Sequence, residues 1–263
     1  MDLNCLVFDI QTVPDVGGAR RLWPGLDGLS DEEVAKVMIA KRQQESDGQS
    51  ESLRHHLQRV CAISAVYRHG DDLEVCSFGD EASNEAVLLQ RFYARIESYS
   101  PTLVSWNSSG FALPVMHYRA LINGLEAPGY WKTAQAVLAS RDDSSLAHVQ
   151  GRHIDLLAVL SAYQPEAVAK LDEVASLMGY PGELGMVGVA VWPTYLAGRL
   201  AEIRARCEID VINTYLVYLR FERMRGHFDD ARHCDELTRL RHYLGDRNTP
   251  HFKDFLDAWP ARL

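Results

Sequence analysis

An apolar run, Leu6-Val7-Phe8, ends in Asp9, and a second polar side chain, Gln11, follows two residues later. On a strand, residues two apart point to the same face. Two carboxylates placed that way can share a pair of divalent cations at a strand end, the arrangement of a metal-dependent nuclease site. Here the second position is an amide. Mg²⁺ and Mn²⁺ favour hard, charged oxygen ligands, so Gln11 offers at best a neutral carbonyl oxygen.

Two later segments carry the same kind of signal. Leu103-Val104 leads into Ser105-Trp106-Asn107-Ser108-Ser109-Gly110-Phe111-Ala112-Leu113-Pro114. Further on comes Arg206-Cys207-Glu208-Ile209-Asp210-Val211-Ile212-Asn213-Thr214-Tyr215. In order and spacing, the three segments resemble the three motifs of the DnaQ-like 3′–5′ exonucleases. The closest likeness is to the predicted bacterial exonucleases similar to the proofreading domain of family-B DNA polymerases. It covers most of the chain and includes stretches 53–64, 152–161, 171–186 and 208–221.

The resemblance implies an RNase H-like α/β fold: a central mixed sheet flanked by helices, with a helical C-terminal part. It also implies a domain over residues 1–225, with residues 226–263 as a helical extension of it. In that family the first motif carries Asp and Glu, the second ends Phe-Asp, and the third has Tyr or His four residues before its Asp. This chain has Asp9 and Gln11, Phe111 and Ala112, and Arg206 before Asp210. Of four metal-binding acids, Asp9 and Asp210 remain as the expected catalytic and metal-binding pair. The cofactor implied is Mg²⁺ or Mn²⁺, held weakly, since two carboxylates cannot neutralise two dications. Arg206 would repel metal and attract phosphate. The resemblance also assigns the 3′ end of single-stranded DNA or RNA to Asn107 and Phe111, and with less support to Thr12. An amide can bind sugar or phosphate and a ring can stack on a base. The other reading of these two residues is a turn cap and a core side chain. Asp9 and Asp210, taken alone, could equally be capping or turn residues.

Three functional readings follow. The first is a 3′–5′ exonuclease-family protein that binds strand ends with weak or no catalysis. The second is a working two-metal exonuclease in which Asp155, Asp15 or Glu208 supplies the missing charge. The third is a non-catalytic module, on the same fold, that binds a protein partner. Relatives also tend to carry an Arg- and Tyr-rich stretch where this chain has residues 132–150, with one Lys and one Arg before Asp142 and no aromatic. They tend to be polar where Val187-Gly188-Val189-Ala190 is apolar. Both departures point to a weaker grip on nucleic acid.

The elements that must position these residues alternate between strand and helix patterns. Residues 3–10 read as a buried strand, 59–67 and 73–78 as a pair joined by a turn, and 102–106 as a further strand. Residues 20–44 contain a helix entered through Ser30-Asp31-Glu32-Glu33, and residues 47–52 read as a loop. Ser83 caps a helix to about Tyr99, and 114–123 form another that ends at Gly124. Residues 153–156 form a short strand, and helices dominate from Leu157, including a core stripe of Val211, Ile212, Tyr215, Leu216 and Leu219. Past Phe221 the apolar positions Leu237, Leu240 and Leu244 suit packing on the domain or a dimer face.

Composition narrows the classes. With 263 residues, 47% hydrophobic and 24% charged, the chain has the make-up of a globular α/β protein. No apolar stretch reaches the roughly 18–20 residues a bilayer requires. Five scattered cysteines form no CxxC pair, so neither a zinc knuckle nor a disulfide framework is indicated. No signal peptide is expected, and a cytoplasmic location is the default. A net charge of −9 argues against broad non-specific DNA binding but allows a narrow cleft for one strand end. The run His227, Asp229, Asp230, His233 and Cys234 could place Asp229 and His233 on one helix face, though flanking arginines make it read as a solvated surface. His55-His56 reads as a packing pair near a substrate entrance.

Overall fold

The computed structural model describes residues 3–132, 153–184 and 190–260. Five strands form one sheet: β1 (Asn4–Pro14), β2 (Gln58–His69), β3 (Asp72–Ser77), β4 (Thr102–Ser105) and β5 (His153–Asp155), in the order β3-β2-β1-β4-β5. β1 is central. It pairs antiparallel with β2 and parallel with β4, while β4 and β5 are parallel. Buried on both faces, β1 reads as a near-continuous apolar run from Cys5 to Phe8.

The helices in chain order are α1 (Val16–Leu22), α2 (Asp31–Glu45), α3 (Glu85–Tyr99), α4 (Leu113–Ile122), α5 (Leu156–Leu160), α6 (Leu171–Leu177), α7 (Val191–Leu196), α8 (Leu200–Met224), α9 (Asp230–Gly245) and α10 (Pro250–Ala258). Strand alternation sorts them into two layers. Leu6, Phe8 and Ile10 pack with Leu88, Leu89 and Phe92 of α3 and Val115 and Met116 of α4. Cys5 and Val7 face the other way, onto Ile212, Tyr215 and Leu219 of α8. The mixed sheet between helical layers is the expected RNase H-like α/β arrangement. Leu240 and Leu244 of α9 and Phe252 and Phe255 of α10 join the second cluster. A buried bidentate ion pair fixes α9 to β2: Arg68 donates to both oxygens of Glu236 at 2.9 and 2.8 Å, and the Tyr215 hydroxyl donates to the same carboxylate at 3.1 Å.

Several boundaries differ from the sequence reading. β1 runs on to Pro14 because Gln11, Thr12 and Val13 keep their pairing with β2 although the apolar run has ended. Residues 20–44 hold two helices' worth of chain, and α2 starts as expected. The Ser30 hydroxyl accepts from Glu33 N, and Glu33 returns the bond to Ser30 N, a complete capping box. Asn84, not Ser83, caps α3, accepting from Val87 N at 3.1 Å. Ser83 is held instead in a turn with Asp80. The expected strand over 153–156 stops at Asp155, which caps α5. The run from His227 to Cys234 is not a solvated face throughout, since His233 is buried and Asp229 caps α9. Among the described residues no helix is long and apolar enough to cross a membrane.

Candidate active site

The alternation that places Val7 under α8 also places Asp9 and Gln11 there. A β-bulge fixes the end of this row. Gln11 pairs with Ala62 and Thr12 with Val60, so Cys61 is the extra residue of β2. Bulges re-aim side chains next to functional sites. Here the Cys61 thiol donates to the Gln11 carbonyl at 3.3 Å.

From the opposite side, α8 presents Arg206 and Asp210, four residues apart and hence on one face. Arg206 Nε donates to Asp210 Oδ2 at 2.9 Å, and Arg206 Nη2 reaches Glu183 Oε1 at 2.6 Å. Gln11 Nε2 bridges the two aspartates, donating to Asp210 Oδ2 at 3.2 Å and to Asp9 Oδ2 at 3.3 Å. Cys207, one residue along the helix, donates its thiol hydrogen to the Asp9 carbonyl at 3.4 Å. Asp9 and Asp210, expected together, share one cleft with Gln11 and Arg206.

Electrostatics follow from this crowding. Burial, then the nearby Asp210 charge, push the Asp9 carboxyl well above the usual carboxylate range. Burial also raises Asp210, against the lowering effect of the Arg206 guanidinium. The Arg206 side chain is only 11% exposed, so its pairing with Asp210 is screened little by water.

Residues Ser108–Ala112 form a single π-helical turn after β4 that runs into α4. Asn107 enters it at φ +62°, a left-handed conformation that Asn tolerates. Gly110 leaves room for the Asn107 amide, since a Cβ there would lie 2.4 Å from Asn107 Oδ1 and turn that side chain away. Asp155 holds the turn: it accepts from Asn107 N at 3.0 Å and Ser109 N at 2.8 Å, and from the Ser109 hydroxyl. His153 supports it from below, bonding the Ser108 hydroxyl at 2.8 Å, and burial holds this imidazole down at about 4. Ala112 is buried in the apolar cluster with Phe8, Val115 and Met116. Asn107 is exposed, and Phe111 is half-buried with its ring edge-on to His55 at 5.9 Å. The Thr12 hydroxyl donates to Gln58 Oε1 at 3.0 Å.

The acids weighed as substitutes are engaged elsewhere. Asp155 caps α5 and the π turn. Asp15 caps α1 and pairs with Arg119 at 2.6 Å. Glu208 accepts from Ser77 at 2.6 Å and pairs with His251 at 2.8 Å. Sequence reasoning missed Glu183 and Cys207. The first reaches Arg206 only through tertiary packing, and the second is one more apolar-looking position on α8. Residues 133–150 and 187–189, read as weakened grip segments, lie outside the described residues.

A mixed sheet in this order, with three motif segments meeting at one end of its central strand, defines an RNase H-like domain of the exonuclease type. The family described as a predicted 3′–5′ exonuclease related to the exonuclease domain of PolB matches residues 50–259, and the chain belongs to it. Its strand β1, with Asp9 and Gln11, precedes the matched span. Among solved structures, the chain is similar to the family B DNA polymerase from the hyperthermophilic archaeon Pyrobaculum calidifontis. The TM-score is 0.51 at 19% identity, over 82% of this chain and 24% of the polymerase. The chain thus spans about a quarter of that polymerase's length. No curated protein matches it.

Proposed function

We propose that this chain binds the 3′ end of a single nucleic-acid strand in the cleft between β1, α8 and the π turn, and hydrolyses it weakly or not at all. The observation that carries this reading is the occupancy of Asp210 Oδ2, which receives both the Arg206 guanidinium and the Gln11 amide. Two-metal hydrolysis sets ions roughly 3.5–4 Å apart between oxygen ligands. Of the motif positions Asp9 and Asp210 alone keep a carboxylate, Ala112 supplies no ligand atom, and one guanidinium already pairs with both Asp210 and the neighbouring Glu183. This donor set does not fit two dications, so no hydrolytic step is derived through them. Arg206 spends Nε on Asp210 and Nη2 on Glu183, so what it offers a terminal phosphate is the positive charge it sets in the cleft rather than a free fork. Asn107, exposed at the turn, is free to meet a sugar or phosphate. Asp155, Asp15 and Glu208 are each held by other partners, which disfavours a rescued two-metal site.

The test is digestion of an end-labelled single strand in Mn²⁺ by the natural chain and by the triple variant Gln11→Glu, Ala112→Asp, Arg206→Tyr. The expected result is little or no digestion by the natural chain, end binding that weakens with salt, and activity gained in the variant. Processive shortening by the natural chain would sink the proposal.

A further inference from the structure

Resting on the strand-end reading above, we infer that the bound strand leaves the cleft over two aromatic pairs, Phe111 with His55 and His56 with Tyr118, which form a stacking path for the nucleotides upstream of the 3′ end. The path is built from two elements. A short turn, His55–Leu57, precedes β2, and the π turn runs on into α4. His55 meets Phe111 and His56 meets Tyr118, each edge-on at 5.9 Å between ring centres. Edge-on contacts leave aromatic surface uncovered, and Tyr118 is 49% exposed. Successive bases stack on such rings without sequence preference, because every base has a π face.

Continuity with the cleft fixes the direction. Gln58, next in chain to this turn, takes the Thr12 hydroxyl bond, and Thr12 follows Gln11 on β1. Thr12 lies on the opposite face of β1 from Asp9 and Gln11, on the side of the π turn, whose Ala112 packs in one cluster with Phe8 beside Asp9. The path therefore leaves the cleft at the π turn, from Phe111 with His55 on to His56 with Tyr118. Phe111 and Tyr118 are seven residues apart on a helical run, about 10 Å at 1.5 Å per residue. That spans roughly three stacked nucleotides at 3.4 Å each. Charge complementarity supports a strand over an apolar peptide. Arg59 is the backbone partner of Val13 across β1 and β2, beside the cleft, and among the described residues its charge acts there only through space, on the Cys61 thiol. It is a cation available to a backbone phosphate, whereas Arg206 inside the cleft is paired with Asp210 and Glu183.

The experiment is fluorescence anisotropy of labelled oligothymidylates, from a trinucleotide to a decanucleotide, with EDTA present to stop any cleavage. The full chain, Tyr118→Ala and Tyr118→Phe are compared, with circular dichroism melts as a folding control. The expected result is affinity that rises with length in the natural chain and a loss of that rise in Tyr118→Ala. The drop on the longer strands should be about five-fold or more, the lower end of what one lost base–aromatic stack costs. Tyr118→Phe should restore it, and the salt slope should be the same in all three, since stacking releases no counterions. If the natural chain binds strands but Tyr118→Ala matches it at every length, the path is overturned while the strand-end reading stands, and the exposed face of α4 then belongs to a protein contact. If the natural chain binds no strand, both are overturned.

Discussion

Arg206 and Asp210 lie one helical turn apart, and the guanidinium Nε of the first donates to Oδ2 of the second at 2.9 Å, the oxygen that also receives the Gln11 amide at 3.2 Å. Glu183 holds the far side of the same guanidinium. A cation on a side chain thus stands between carboxylates that would otherwise call for one from solution.

Removing that cation should expose the difference. Arg206→Ala leaves Glu183 without its cation and Asp210 with the Gln11 amide alone, a loss of about 1–3 kcal/mol for carboxylates stripped of their ion pair. Mn²⁺ should then raise the melting temperature of the variant and leave that of the natural chain unchanged, as read by differential scanning fluorimetry. An equal shift in both would show that Arg206 does not guard the cleft.

Asp9→Asn should stabilise the fold, and more so at higher pH. Asp9 is raised above its unfolded value by burial and by Asp210. A group raised in this way contributes stability fully below its unfolded pKa and loses it as pH rises through the folded one. The amide cannot ionise, so the gap in melting temperature between variant and natural chain should widen from about pH 5 to about pH 9. A variant less stable than the natural chain across that span would contradict the assignment.

Asp155→Ala should damage the π turn more than the sheet. It removes one helix cap and the acceptors of Asn107 N and Ser109 N. Loss of a cap costs about 1–2 kcal/mol, and the two freed turn amides add to that. Amide exchange should speed up at residues 107–112 while β1 keeps its protection.

His153 sets the acid limb. Burial lowers its folded value from 6.5 to about 4, so the stability it contributes is present above about 6.5 and lost as pH falls through 4. That lowering is worth on the order of 3 kcal/mol. His153→Gln keeps a polar partner for Ser108 and should flatten stability between those limits in urea titrations. An unchanged acid limb would assign the loss to other groups.

Much of this site was legible in the sequence because its members are tied by local periods. Asp9 and Gln11 share a face at a spacing of two, Arg206 and Asp210 at a spacing of four, and the order of the three segments brings the pairs together. What escaped depends on long-range packing. Glu183 has no periodic relation to Arg206. The bulge at Cys61 leaves no mark in composition, and Asp155 looks like one more acid until the amides of the π turn close on it. The strand boundary at Ile10 failed for a related reason. Polar residues ended the apolar run, but backbone pairing with β2 continued through Pro14.

Nuclease clefts rich in carboxylates hold mutual repulsion that dissolved ions must relieve, and their rigidity follows the supply of those ions. In this chain the neutralising charge is covalently attached and cannot diffuse away. Its cleft should keep one shape in a chelator and in millimolar magnesium alike, so that the cell's metal balance gives it no cue to open or close.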